Sequence, residues 1–120
     1  MRVVVEDYRR NMREPSQPLA LSQTLTMDFD EQGRDVSENV REGSSETSTT
    51  LTYLGEHILE IKSDFVYEGK PKGDAVVGRW SYDTSGHVTD YHRTRGNKSE
   101  NHYTNFTYDP KGSQVILECI

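Results

Sequence analysis

Thr24-Leu25-Thr26-Met27-Asp28-Phe29 is the stretch from which the fold is read. Leu25, Met27 and Phe29 alternate with Thr24, Thr26 and Asp28, the two-residue period of a strand with one dry and one wet face. Glu31-Gln32-Gly33 then reads as a turn, and Asp35 to Arg41 returns with Val36 and Val40. Working outward, Glu42 to Glu46 reads as a second turn and Thr47 to Tyr53 as a strand with Leu51 and Tyr53 in phase. Gly55-Glu56-His57 turns into Ile58 to Tyr67, the longest strand candidate. Glu68 to Asp74 has the composition of a loop. Val76 to Asp83, Val88 to Arg95, His102 to Asp109 and Val115 to Ile120 complete the series, separated by Thr84-Ser85-Gly86, Gly96-Asn97-Lys98 and Pro110-Lys111-Gly112.

No stretch after residue 23 holds helical spacing over three turns. The expected fold is all-β: one domain over residues 1–120, an antiparallel meander of about eight strands, as an open curved sheet or partial barrel with one core face. Residues 1–23 are ambiguous. Val3-Val4-Val5 suits a strand, whereas Val5 to Glu14 has the Arg, Glu and Met of a short helix ending before Pro15. A strand followed by a loop is the better fit, with Pro15 and Pro18 marking an irregular connection.

Four segments share a frame: Phe29-Asp30-Glu31-Gln32-Gly33, Tyr53-Leu54-Gly55, Tyr82-Asp83-Thr84-Ser85-Gly86 and Tyr108-Asp109-Pro110-Lys111-Gly112. An aliphatic residue follows each one: Val36, Ile58, Val88 and Val115. The expected mechanism is local. The aromatic anchors the end of a strand, Asp binds backbone amides to start the turn, and Gly accepts a positive φ. Over residues 26–117 this arrangement resembles the YD repeat of the Rhs family, whose unit reads aromatic-Asp-x-x-Gly-x-aliphatic. Tyr82 and Tyr108 match that frame through the Gly, Phe29 replaces Tyr in the first copy, and the second copy lacks the Asp. The resemblance implies a hairpin array and an association with bacterial surface proteins or toxin systems; it implies no activity.

Composition narrows the function. Leu, Ile, Val and Phe supply one residue in five of the 120, so the core is expected to be thin, with seven Tyr and Trp80 making up part of the deficit. The net charge of −6 is uneven. Residues 28–68 hold eleven acids against three bases, and this field disfavours nucleic acid and anionic membrane as partners. A basic protein suits it better. No apolar run approaches a membrane span and the N-terminus has no signal-peptide pattern, so the reading is cytoplasmic. Cys119 is the one cysteine, and its apolar surroundings in sequence make it a small core residue rather than a nucleophile.

Chemistry is sought first among the four histidines. His92 and His102 flank the Gly96-Asn97 turn, and a tight hairpin would place them on neighbouring strands as acid and base of a metal-independent nuclease. One residue of slip sends them to opposite faces, so exposed strand histidines are the simpler reading. His87, His92 and His102 lack the paired spacing of a zinc site, and Asp28, Asp30 and Asp35 lack that of a calcium loop. No phosphate loop or nucleophile elbow is present. The expectation is therefore a non-enzyme without cofactor or metal.

The functional expectation is an acidic inhibitor or immunity-type protein that neutralises a basic bacterial toxin domain. Glu38, Glu42, Glu46, Glu56, Glu60 and Asp64 would meet the partner's Arg-rich surface. Tyr91 and Tyr103 would be exposed anchors, because their parity opposes Tyr82 and Tyr108 in regular strands. A YD-like surface module binding carbohydrate or protein is the alternative, followed by the two-histidine nuclease. A second copy could also pair through the edges of an open sheet.

Overall fold

The computed structural model describes residues 1–9, 16 and 18–111 in full, and residues 114–119 by their backbone. Its described elements are all strands: β1 (Arg2–Arg9), β2 (Ala20–Phe29), β3 (Asp35–Glu42), β4 (Ser45–Leu54), β5 (His57–Tyr67), β6 (Lys70–Pro71), β7 (Val76–Tyr82), β8 (Val88–Arg95), β9 (Lys98–Tyr108) and β10 (Gln114–Cys119). Neighbours follow chain order as an open antiparallel meander, and β6 pairs with β5 off this path. The all-β meander expected from the two-residue period is present. The described residues form ten strands, against about eight expected. The additional two are β1, which settles Val5 to Arg9 as strand rather than helix, and the two-residue β6 inside the expected Glu68–Asp74 loop. Among the described residues no helix is long and apolar enough to cross a membrane.

The chain divides into two compact units, residues 1–50 with 64–73 and residues 51–63 with 74–120. In the first unit, register sorts the side chains. Val3 faces Met27 and Val5 faces Leu25 across β1 and β2, and Leu25 faces Val40 on β3. These positions share one face, and with them lies Glu38 opposite Met27. The other face is polar apart from Val4, which faces Thr26. Arg2 binds Asp28 at 2.8 Å, and Asn39 bridges Glu46 at 2.7 Å and Ser48 at 2.9 Å.

Turns follow the expected mechanism where Asp is available. Asp30 Oδ1 accepts the amides of Gln32 and Arg34 at 2.9 and 3.0 Å, and Gly33 takes a φ of +79°. Asp83 repeats this in the second unit, accepting Ser85 and His87 amides at 2.9 Å each, with Gly86 at +85°. Asp109 accepts the amide of Lys111 at 2.9 Å, while Gly112 and the side chain of Val115 lie outside the described residues. So do Pro15 and the Cys119 side chain.

The apolar face is sparsely buried. Among the described residues Val76, at 9% exposure, is the one buried hydrophobic side chain, and no side chain is fully buried. Neighbouring side chains on a single sheet layer shield one another laterally, but only a second layer removes them from water. No described element supplies one within either unit.

Candidate functional site

The second unit carries the densest arrangement of aromatic and titratable groups. On β7, Gly78, Trp80 and Tyr82 project from one face by strand alternation. Trp80 pairs with Tyr91 on β8, and Tyr91 with Tyr103 on β9. Their rings form a ladder, with centroids 4.7 Å apart at the first step and 6.0 Å at the second. Gly78 makes room for it: a Cβ there would meet the Tyr91 ring at 3.1 Å. Tyr91 and Tyr103 are therefore half-buried rungs on the Trp80 side, not anchors on the opposite face. The parity expectation fails because the strands are irregular: the register shift at Ser81/Tyr82 leaves one extra residue on β8, and Asn105 on β9 has a positive φ of 55°. Such bulges invert a parity count.

Further along, Tyr82 stacks on His57 and donates its hydroxyl to the Ile58 carbonyl at 2.5 Å. Tyr108 stacks on His87 and donates to the Val88 carbonyl at 2.6 Å. Ile58 and Val88 are the aliphatic residues of the preceding frames. Each tyrosine thus fastens its own frame to the one before it. Burial raises the Tyr82 hydroxyl above its ordinary pKa, and the neighbouring Tyr108 adds to this.

The opposite face of the same strands is polar. Glu60, Arg79, His92 and His102 form one row across β5, β7, β8 and β9. Arg79 Nε bonds Glu60 at 2.9 Å. The His92 and His102 rings stack at 4.5 Å between centroids, with His92 Nε2 2.8 Å from Ser99 Oγ and His102 Nε2 2.7 Å from Asp90 Oδ1. Val77, Arg79, His92, Thr94 and Gly96 line a shallow groove beside them. The register that the sequence left open therefore brings the two histidines together. Yet an acid–base pair for phosphodiester cleavage must hold a phosphate between its two rings. Rings in van der Waals contact leave no such gap, and one nitrogen of each is already engaged. His87 is on the aromatic side, stacked on Tyr108, away from His92 and His102. Among the described residues no cluster of three or more His, Cys, Asp or Glu has metal-holding geometry.

The six acids named from sequence do not all share a face. In the first unit Glu38 faces Met27, and Glu42, facing Ser45, projects from the same side. Glu46 projects from the opposite side, facing Arg41 and held by Asn39 and Arg41. These partners lower its pKa. Partial burial and the nearby Asp35 raise that of Glu38. Asp64 is exposed on β5 in the first unit. In the second unit Glu56 is exposed in the turn after β4, and Glu60 pairs with Arg79. Sequence reading missed Glu100, which bridges Arg93 and Arg95 at the β9 bulge. Nothing in its local pattern marks it, since the bulge itself brings the three side chains together.

No family model matches this chain, and neither a curated protein nor a solved structure matches it.

Proposed function

We propose that this chain is a non-catalytic protein-binding domain whose sheet faces are completed by a partner. The observation that carries the reading is the near absence of burial: Val76 is the one buried hydrophobic side chain among the described residues. The aromatic ladder of Trp80, Tyr91 and Tyr103 lies along one sheet face, where a partner contributing a second layer would bury it. The excess of acids in residues 28–68 favours a basic partner, since complementary charge speeds encounter. In its specific form, the chain is an acidic inhibitor of a basic toxin domain. The ladder speaks against the carbohydrate alternative, because its rings turn their faces to one another. The packed histidine pair speaks against the nuclease.

The test is purification with the protein encoded beside this one and measurement of the association by stopped flow. The expected outcome is an on-rate that falls at least about tenfold between low and physiological salt. Truncating Tyr91 or Tyr103 to Ala should weaken affinity by about 1–2 kcal/mol or more. RNA cleavage abolished by His92→Ala or His102→Ala would overturn the reading.

A further inference from the structure

β1 has one edge that no described strand pairs, and the backbone groups pointing from it can be identified. Met1 and Phe29 exchange both hydrogen bonds, Met1 N to Phe29 O at 3.1 Å and Phe29 N to Met1 O at 2.8 Å. Val3 opposite Met27 and Val5 opposite Leu25 continue the same register. Antiparallel alternation then turns the N–H and C=O groups of Arg2, Val4 and Glu6 away from β2.

We propose that this edge pairs with β1 of a second copy of the chain, antiparallel and centred on Val4. In that register Arg2 of each copy faces Glu6 of the other, Val4 faces Val4, and Val3 faces Val5. All three outward-pointing residues become hydrogen-bonded pairs. The other registers that use the same outward groups are worse. They set Arg2 against Val4 or Tyr8, Arg2 against Arg2, or Glu6 against Glu6. Only the Val4-centred alignment opposes every charge to its opposite.

Three further features fit. Arg2 bonds Asp28 yet keeps 68% side-chain exposure, so N–H groups remain for a second carboxylate. Val4 and Val5 are 53% and 48% exposed, and the strand carries no Pro or Lys, the residues that usually blunt an edge. On the apolar face, Val3 and Val5 would join those of the other copy, extending the row of Leu25, Met27 and Val40 across both chains. The bulge between Asp7 and Tyr8 ends the pairable stretch.

Sedimentation velocity on the full chain tests this, using the wild type, Arg2→Glu, Glu6→Arg, and an equimolar mixture of the two variants. The wild type is expected to dimerise by about 100 μM, a weak association in keeping with a small interface. Each variant alone opposes like charges and should dimerise at least about tenfold more weakly. The mixture should recover the dimer, because the glutamate introduced at position 2 of one chain then faces the arginine introduced at position 6 of the other, while the unaltered Glu6 and Arg2 face each other. Circular dichroism shows whether each variant keeps its strands. Should Arg2→Glu lose them beside Asp28, Val4→Pro takes its place, since the Val4 amide points away from β2, and it should abolish the dimer. A wild type that stays monomeric overturns the proposal, as do variants that dimerise like the wild type, or a folded mixture that does not recover.

Discussion

At the scale of single residues, the aspartates that open the turns do the most with the least. The Arg34 amide chiefly holds the Asp30 carboxyl below the ordinary range, and the His87 amide does the same for Asp83. Both gains belong to the ionised form. They are complete above the unfolded carboxylate value, about pH 4, and disappear as pH falls through the lower folded value. Thermal melts of the wild type should therefore lose stability steadily on acidification below that point. Asp30→Asn and Asp83→Asn should start lower at pH 7 and fall less steeply in acid. An acid limb unchanged in the double variant would refute this account. Glu38 has the opposite sign: its raised pKa makes it a cost when ionised, on a face shared with Val3, Met27 and Val40. That Asp and Gly would build these turns was legible in the sequence, because the mechanism spans five adjacent residues.

At the scale of elements, loop length decided what sequence could and could not show. Gly43-Ser44, Gly55-Glu56 and Gly96-Asn97 are two-residue connections with positive φ at the glycine, and such loops match the twist of paired strands. The Gly43-Ser44 turn opposes Glu42 to Ser45, which sends Glu46 to the other face. Reading Glu42 to Glu46 as a longer turn hid that inversion. The histidines show the reverse problem. A regular hairpin at Gly96-Asn97 would oppose His92 to Asn101, and it is the extra residue at Glu100 that brings His102 opposite instead. Periodicity reveals that a strand exists, but a bulge is one residue without a pattern of its own. The β5–β6 turn offers a prediction. Glu68 and Gly69 both have positive φ, 51° and 76°, a conformation in which Asn is at ease and Glu is not. Glu68→Asn should stabilise the protein by about 0.5–1 kcal/mol in urea titrations. No gain, with β6 still paired, would mean that the turn is unstrained.

At the scale of the whole molecule, sparse burial is the dominant property. The lean composition announced it, and among the described residues Val76 is the one buried hydrophobic side chain. Amphipathic alternation reports that a face is apolar, and it cannot report whether anything covers that face. Unfolding such a protein hydrates little new apolar surface. Calorimetry should therefore give a heat-capacity increment below the roughly 1.4–1.8 kcal/mol/K usual for a chain of this length. A value inside that range would mean that the faces are already covered, by another copy or otherwise.

Tyr82 and Tyr108 each reach back one frame to a backbone carbonyl, and a carbonyl is the same whatever residue carries it. The seam between frames is thus indifferent to most of the sequence it joins. Within the second unit, a frame exchanged for one of different sequence would leave both of these joints chemically intact, so the residues between them can vary while the two seams persist.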